Sequence, residues 1–198
     1  YAAVGETVTY VVSVTVPAAT SIYTGVLYDT TPSGIRVDGV VAEYRAAPGD
    51  PYGPLPGTFT LTTPPAGPRV AFPASLAAGA EADSVRMTIT ATVLDASVNV
   101  HGAVRSNTAR LSSVNEFGAS LGTLSATSAI TVVEPSPSPL KLADDDTPSA
   151  GQLVGYTVTA RNANPADLAQ VRPTLYDASL VDCVPAGLTV APASVTVS

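Results

Sequence analysis

Thr7-Val8-Thr9-Tyr10-Val11-Val12-Ser13-Val14-Thr15-Val16 sets Val8, Tyr10, Val12, Val14 and Val16 on one parity and mostly Thr and Ser on the other. An apolar side chain at every second position is the period of an extended chain with one face buried, so the stretch predicts an antiparallel strand. Residues 86–93 repeat the pattern, with Met87, Ile89, Ala91 and Val93 opposed by Arg86, Thr88, Thr90 and Thr92. Further strands are expected over residues 22–28, 35–44, 58–61, 69–72, 106–111 and 124–133, separated by turns such as Thr31-Pro32-Ser33-Gly34. No stretch carries a helical period, and many short strands joined by turns predict a β-sandwich. Residues 46–56, Ala-Ala-Pro-Gly-Asp-Pro-Tyr-Gly-Pro-Leu-Pro, hold too many prolines for a central strand and read as a long edge loop.

An internal repeat sets the organisation. Val4-Gly5-Glu6-Thr7-Val8-Thr9-Tyr10-Val11-Val12 recurs 146 residues later as Ala150-Gly151-Gln152-Leu153-Val154-Gly155-Tyr156-Thr157-Val158. Leu27-Tyr28-Asp29 returns as Leu175-Tyr176-Asp177, and Pro32-Ser33-Gly34-Ile35 as Pro185-Ala186-Gly187-Leu188. Between the copies lies Glu134-Pro135-Ser136-Pro137-Ser138-Pro139, whose alternating prolines favour polyproline II and a semi-rigid spacer. The expected layout is a first sandwich over residues 1–134, a Pro-Ser linker over 135–139, and the amino-terminal part of a second, truncated repeat over 140–198. Such a chain reads as a window on a tandem array.

Composition narrows the function. Of 198 residues, 45% are hydrophobic and 13% charged, with one His, one Cys and one Lys. Acid/base, metal and thiol chemistry draw on side chains that are nearly missing here, so the chain is not expected to be an enzyme. A net charge of -7 offers no basic face to nucleic acid or to anionic membranes. No apolar run approaches the roughly 20 residues of a membrane span, and residues 1–9 lack the basic start and apolar stretch of a signal peptide.

At the repeated motifs the sequence resembles the immunoglobulin-like repeat modules of bacterial surface and fimbrial proteins, including the isopeptide-forming fimbrial domains. Their marks are an Ala-Gly-Asp-x-Val-x-Tyr-x-Val first strand, an Asp followed by a Leu-Pro-x-Gly-Leu turn, and a closing Asn-Thr-Ala strand. Residues 4–11, 29–35 and 107–109 match these, and residues 150–158 and 177–188 match the first two again. The resemblance implies an all-β chain of tandem immunoglobulin-like antiparallel β-sandwiches. It further implies an extracellular, structural or adhesive module of a bacterial cell-surface stalk, fimbria or sheath, whose partners are neighbouring repeats or subunits.

Some members of that family join their two sheets by a Lys–Asn amide bond assisted by a buried Asp. The reaction needs a neutral amine and a protonated carboxyl, both of which burial encourages. Carried over residue by residue, the first repeat supplies Asp29 and Asn107, with its Lys position falling before Tyr1. The second supplies Lys141 and Asp177, with its Asn position falling after Ser198. Asp29 shares parity with Leu27, and Asn107 with Ala109 and Leu111, so both are expected to face inward. Lys141 has the opposite parity to Leu140 and Leu142, which also suits a solvated lysine; a turn-capping Asp29 and a strand-end Asn107 are the plainer readings of those two.

Other features carry weaker expectations. Asp144-Asp145-Asp146 is a weak metal candidate, for Ca²⁺, or else a solvated acidic turn, and no other cofactor is implied. Cys183 has no partner in the chain and reads as half of a disulfide completed elsewhere or as a free thiol. His101, beside Gly102, reads as a turn residue. An alternative function is a ligand-binding adhesin module using the loop over residues 46–68, with Tyr44, Tyr52 and Phe59 presented to a ligand. A third is an accessory domain of a larger secreted enzyme.

Overall fold

A computed structural model describes residues 1–63, 67–163, 173, 175, 178–191 and 195–197. Every regular element among them is a strand: β1 (Ala2–Ala3), β2 (Thr7–Val16), β3 (Ser21–Thr30), β4 (Ile35–Arg45), β5 (Gly53–Pro54), β6 (Thr60–Thr62), β7 (Arg69–Ala71), β8 (Ser75–Ala77), β9 (Asp83–Val93), β10 (Val104–Val114), β11 (Ser120–Val133), β12 (Ser136–Ala143) and β13 (Tyr156–Ala163). The chain divides into two compact units, one built on Tyr1–Glu134 and one beginning at Pro135.

In the first unit two sheets enclose one core. One sheet runs β2-β9-β4-β5; the other runs β1-β11-β10-β3-β7-β6, with β8 also paired to β3. β9 is the centre of the first sheet because its alternation is complete, and Val85, Met87, Ile89, Ala91 and Val93 are fully buried. It pairs antiparallel with β2, Tyr10 opposite Ile89, and with β4, Val40 opposite the same Ile89. The facing sheet contributes Leu27, Val70, Phe72, Leu76 and Val132 to the same apolar cluster.

Two strand edges stay open. β2 has a neighbour on one side only, and β1 covers β11 only at Val132 and Val133, in a parallel pair. Among the described residues no strand lies along the rest of either edge.

The turn Pro32-Ser33-Gly34 holds its glycine for a steric reason. Gly34 has φ +86°, and a Cβ there would stand 2.6 Å from Oδ1 of the buried Asn99, whose amide nitrogen donates to the Gly34 and Leu94 carbonyls.

The repeated motifs share local geometry as well as letters. Glu6 N–H donates to Ala3 O and its carboxylate accepts from Ala3 N–H; Gln152 N–H donates to Ser149 O and its side-chain oxygen accepts from Ser149 N–H. Gly5 and Gly151 both have φ +83°, and Ile35→Pro32 and Leu188→Pro185 close the same 3.2 Å turn bond.

The second unit holds a two-stranded antiparallel sheet of β12 and β13, with Lys141 opposite Val158. β12 thus occupies most of the stretch expected as a spacer. Pro135, Pro137 and Pro139 share one parity, so the N–H groups they lack all belong to one edge, and β12 pairs through the other. Elsewhere residues 46–56 form the expected edge loop, pinned where β5 pairs with Glu43 and Tyr44, and the strand expected from residue 58 begins at Thr60.

Prediction: Ile89→Ala, which empties a fully buried site in the central strand, should lower unfolding free energy in urea by about 2–5 kcal/mol. Val11→Ala, on the exposed face of β2, should change it by less than about 0.5 kcal/mol.

Candidate functional site

β3 and β10 lie side by side, with Ala109 opposite Asp29. Asn107 is two residues from Ala109 on the same face, so strand pairing alone brings the carboxamide to the carboxyl. Asn107 Nδ2 donates to Asp29 Oδ2 at 2.9 Å. Both side chains are buried, Asp29 at 6% and Asn107 at 3% exposure.

Beside the pair is a cavity of about 250 Å³ lined by residues 9–13 of β2, by Asp29, Asn107 and Ala109, and by residues 126–128 of β11. Five consecutive residues of β2 and three of β11 line it, so it lies between the two open strand edges rather than under one face. Three buried polar atoms of the residues lining this cavity have no hydrogen-bond partner: Asp29 Oδ1, Asn107 Oδ1 and the Tyr10 hydroxyl. The first two are acceptors and the hydroxyl can donate or accept, yet none of the three is paired. An orphaned buried acceptor costs about 1–3 kcal/mol.

Burial raises the Asp29 pKa to about 6, against the opposing pull of the Asn107 and Thr31 side chains. Burial, and then the neighbouring Asp29 charge, also raises the Tyr10 hydroxyl. The site can therefore hold a neutral carboxyl against a carboxamide at mildly acidic pH, with room for one further donor group.

The other candidates lie elsewhere. Lys141 on β12 is partly exposed; Nζ donates to both carboxylate oxygens of Asp182 at 2.7 and 2.9 Å and stands 4.6 Å from the Tyr156 ring centroid. Asp177 lies outside the described residues. Asp144 Oδ1 accepts from Gly155 N–H, while Asp145 accepts from Thr147 and Gln152 and is thereby held below the usual carboxylate range. These carboxylates serve their own turns, and no group of three or more metal-binding side chains converges among the described residues. Cys183 is an exposed free thiol. His101 sits at a turn, its N–H donating to the Glu134 carboxylate.

The expectation that Tyr44 and Phe59 face a ligand is corrected. Phe59 is buried and packs between Tyr44 and Phe72, at centroid distances of 5.8 and 5.4 Å. Tyr44 donates its hydroxyl to Asp83 at 2.8 Å. These aromatics turn inward because burying their rings gains more than display in a loop. Tyr52 remains nearer the surface, with the Arg45 and Arg86 guanidinium groups 4.7 and 3.9 Å from its ring centroid.

A two-sheet sandwich whose adjacent strands β3 and β10 carry a buried Asp–Asn pair is the class of protein defined by this geometry. The sequence matches no family model and no curated protein. Among solved structures it is similar to BcpA, the major pilin subunit of Bacillus cereus, with a TM-score of 0.53 and 11% identity, covering 82% of this chain and 52% of that one. It is also similar to the pilus backbone RrgB of Streptococcus pneumoniae, with a TM-score of 0.46 and 13% identity, covering 83% of this chain and 51% of that one. For the collagen-binding domain of a Staphylococcus aureus adhesin the TM-score is 0.42 and the identity 8%, with 64% of this chain and 87% of that domain covered. The chain spans about a third to a half of the length of the pilins it matches. It shares the fold of the Bacillus cereus pilin.

Prediction: because folding raises the Asp29 pKa from its ordinary 3.8 to about 6, the folded state binds more protons between these values, and stability falls as pH rises through that window. The loss should be on the order of 3 kcal/mol. Asp29→Asn should flatten this part of the profile in urea melts taken between the two values; an unchanged slope would assign the pH dependence to other groups.

Proposed function

We propose that this chain is a structural module of a bacterial surface assembly, and that Asp29 and Asn107 are the receiving half of a covalent tie between its sheets. The observation that carries the reading is the buried Asp29–Asn107 pair, with unpartnered acceptors facing a cavity at the open side of the sandwich. The shared fold with a major pilin supports it. The module is extracellular, its partners are neighbouring repeats or subunits, and it performs no turnover chemistry. Its residues 1–134 and 140–198 act as successive repeats.

The chemistry follows from the site. An uncharged lysine amine attacks Asn107 Cγ while the Asp29 carboxyl, protonated through burial, donates to Asn107 Oδ1 once the amide has rotated. The new C–N bond forms, the bond from Cγ to Nδ2 breaks, and the nitrogen leaves as ammonia with the proton released by the amine. No oxidant or metal enters the balance. The product is an amide linking the lysine-bearing strand to β10, which bears pulling forces that hydrogen bonds alone release.

The internal repeat supplies the test. Placing a copy of residues 135–146 directly before Tyr1 gives the first unit the segment that leads into the second, including its lysine. The intact mass of the folded product should fall short of its sequence mass by one ammonia, and Asn107→Ala and Asp29→Ala should each restore the plain mass. A folded product with the plain sequence mass would contradict the cross-link.

A further inference from the structure

β11 runs from Ser120 to Val133 without a charged side chain or a proline. Every residue from Ser120 to Ala129 is exposed, so this stretch is open on both faces and is held by its pairing with β10. Leu124 is 73% exposed although it pairs with Leu111, which packs on the core. β1 covers the free edge only at Val132 and Val133.

Other edges are guarded. β4 carries Arg36, Asp38, Glu43 and Arg45, β6 is three residues long, and β12 interposes Pro137 and Pro139. A long edge without such guards is a template for another strand. Its free groups follow from the ladder. Val132 N–H donates to Ala103 O, and Val132 O accepts from Gly102 N–H. The register to β10 is unbroken from Thr123 to Thr131, so even residues of β11 bond to β10. The N–H and C=O groups of Thr123, Ser125, Thr127 and Ala129 therefore point to the open edge.

We infer that this edge joins two copies of the chain, β11 antiparallel to β11 about a two-fold axis at Ser125, in one continuous sheet β10-β11-β11-β10. The pairing goes beyond the amide between the two sheets and does not depend on it. It joins modules of neighbouring chains side by side, a contact separate from the chain connection between successive repeats.

Three observations favour a second copy as the occupant. First, the strand complements itself. Leu124 of each copy lies opposite Ala126 of the other, large against small, and Thr123 lies opposite Thr127, a favoured cross-strand pair. Directly paired residues share a face, so the exposed Leu124 gains cover on both copies. Second, each copy carries a net charge of -7, and a contact through this edge sets no like charges opposite each other. Third, the paired stretch is bounded by the fold itself: Gly122, at φ +81°, bends the strand on one side, and β1 occupies the edge on the other. A two-fold contact uses both edges at once, so association stops at the dimer.

Sedimentation velocity on the whole chain, up to the millimolar range, tests the pairing. A monomer–dimer equilibrium without larger species is expected, and it should tighten as salt screens the net charges. Ser125→Pro removes an N–H that faces the edge and no bond to β10, so the fold should survive while dimerisation weakens about tenfold or more, each copy losing a donor at the axis. Ser125→Lys should have the same effect by setting two ammonium groups face to face, which keeps the test open where the proline variant does not fold. Val11→Pro is the control on the other open edge. Val93 N–H donates to Glu6 O, so by the same alternation Val11 N–H faces away from β9, and this change should leave the dimer intact. Amide exchange in the wild-type dimer should slow at Thr123, Ser125 and Thr127. A monomer at every concentration, growth beyond the dimer, weakening by salt, a dimer indifferent to both Ser125 variants, or one lost in folded Val11→Pro would each overturn the pairing.

Discussion

A carboxyl group moved out of water between two β-sheets loses the solvation of its charged form, and Asp29 meets that cost with a hydrogen bond from Asn107, the pull of the Thr31 side chain, and by holding its proton to about pH 6. The rest of the first unit is arranged around this pair. β3 and β10 must run antiparallel with Ala109 opposite Asp29 for the two side chains to meet, and the opposing β2-β9-β4 sheet supplies the apolar ceiling that keeps water away. A one-residue slip between β3 and β10 would turn Asn107 outward and leave Asp29 buried alone. The pair therefore fixes register as well as chemistry.

The same geometry explains why the site lies at an edge. A residue pair in the middle of the sandwich would be walled by continuous strands, whereas here the cavity meets β2 and β11 where each lacks a neighbour. Closure by a further strand would satisfy backbone groups along β2 and polar atoms in the cavity together.

Much of this was legible in the sequence, and the gaps have physical causes. Thr7–Val16 carries an apolar residue at every second position, and the strand coincides with that stretch. β9 begins earlier than its apolar pattern, at Asp83, because a buried Asp held by the Tyr44 hydroxyl looks polar in sequence. β11 begins at Ser120, where exposed Ser, Gly and Thr carry no alternation. The prolines of residues 135–139 suggest a semi-rigid spacer, since polyproline II and an edge strand have similar backbones, and only pairing with β13 separates them. Parity brought Asp29 and Asn107 inward, but the contact between them needed the β3–β10 register. The orphaned hydroxyl of Tyr10 beside the pair was hidden because a tyrosine in an apolar stripe reads as core.

The site depends on Asp29 being a buried carboxyl kept neutral well above the ordinary range, beside Asn107. Its direct test is an NMR titration of the Asp29 side-chain carboxyl carbon in the folded chain. A midpoint near 6 that moves together with the Asn107 side-chain amide signals is expected. A midpoint at or below the ordinary 3.8, with Asn107 unaffected, would contradict it.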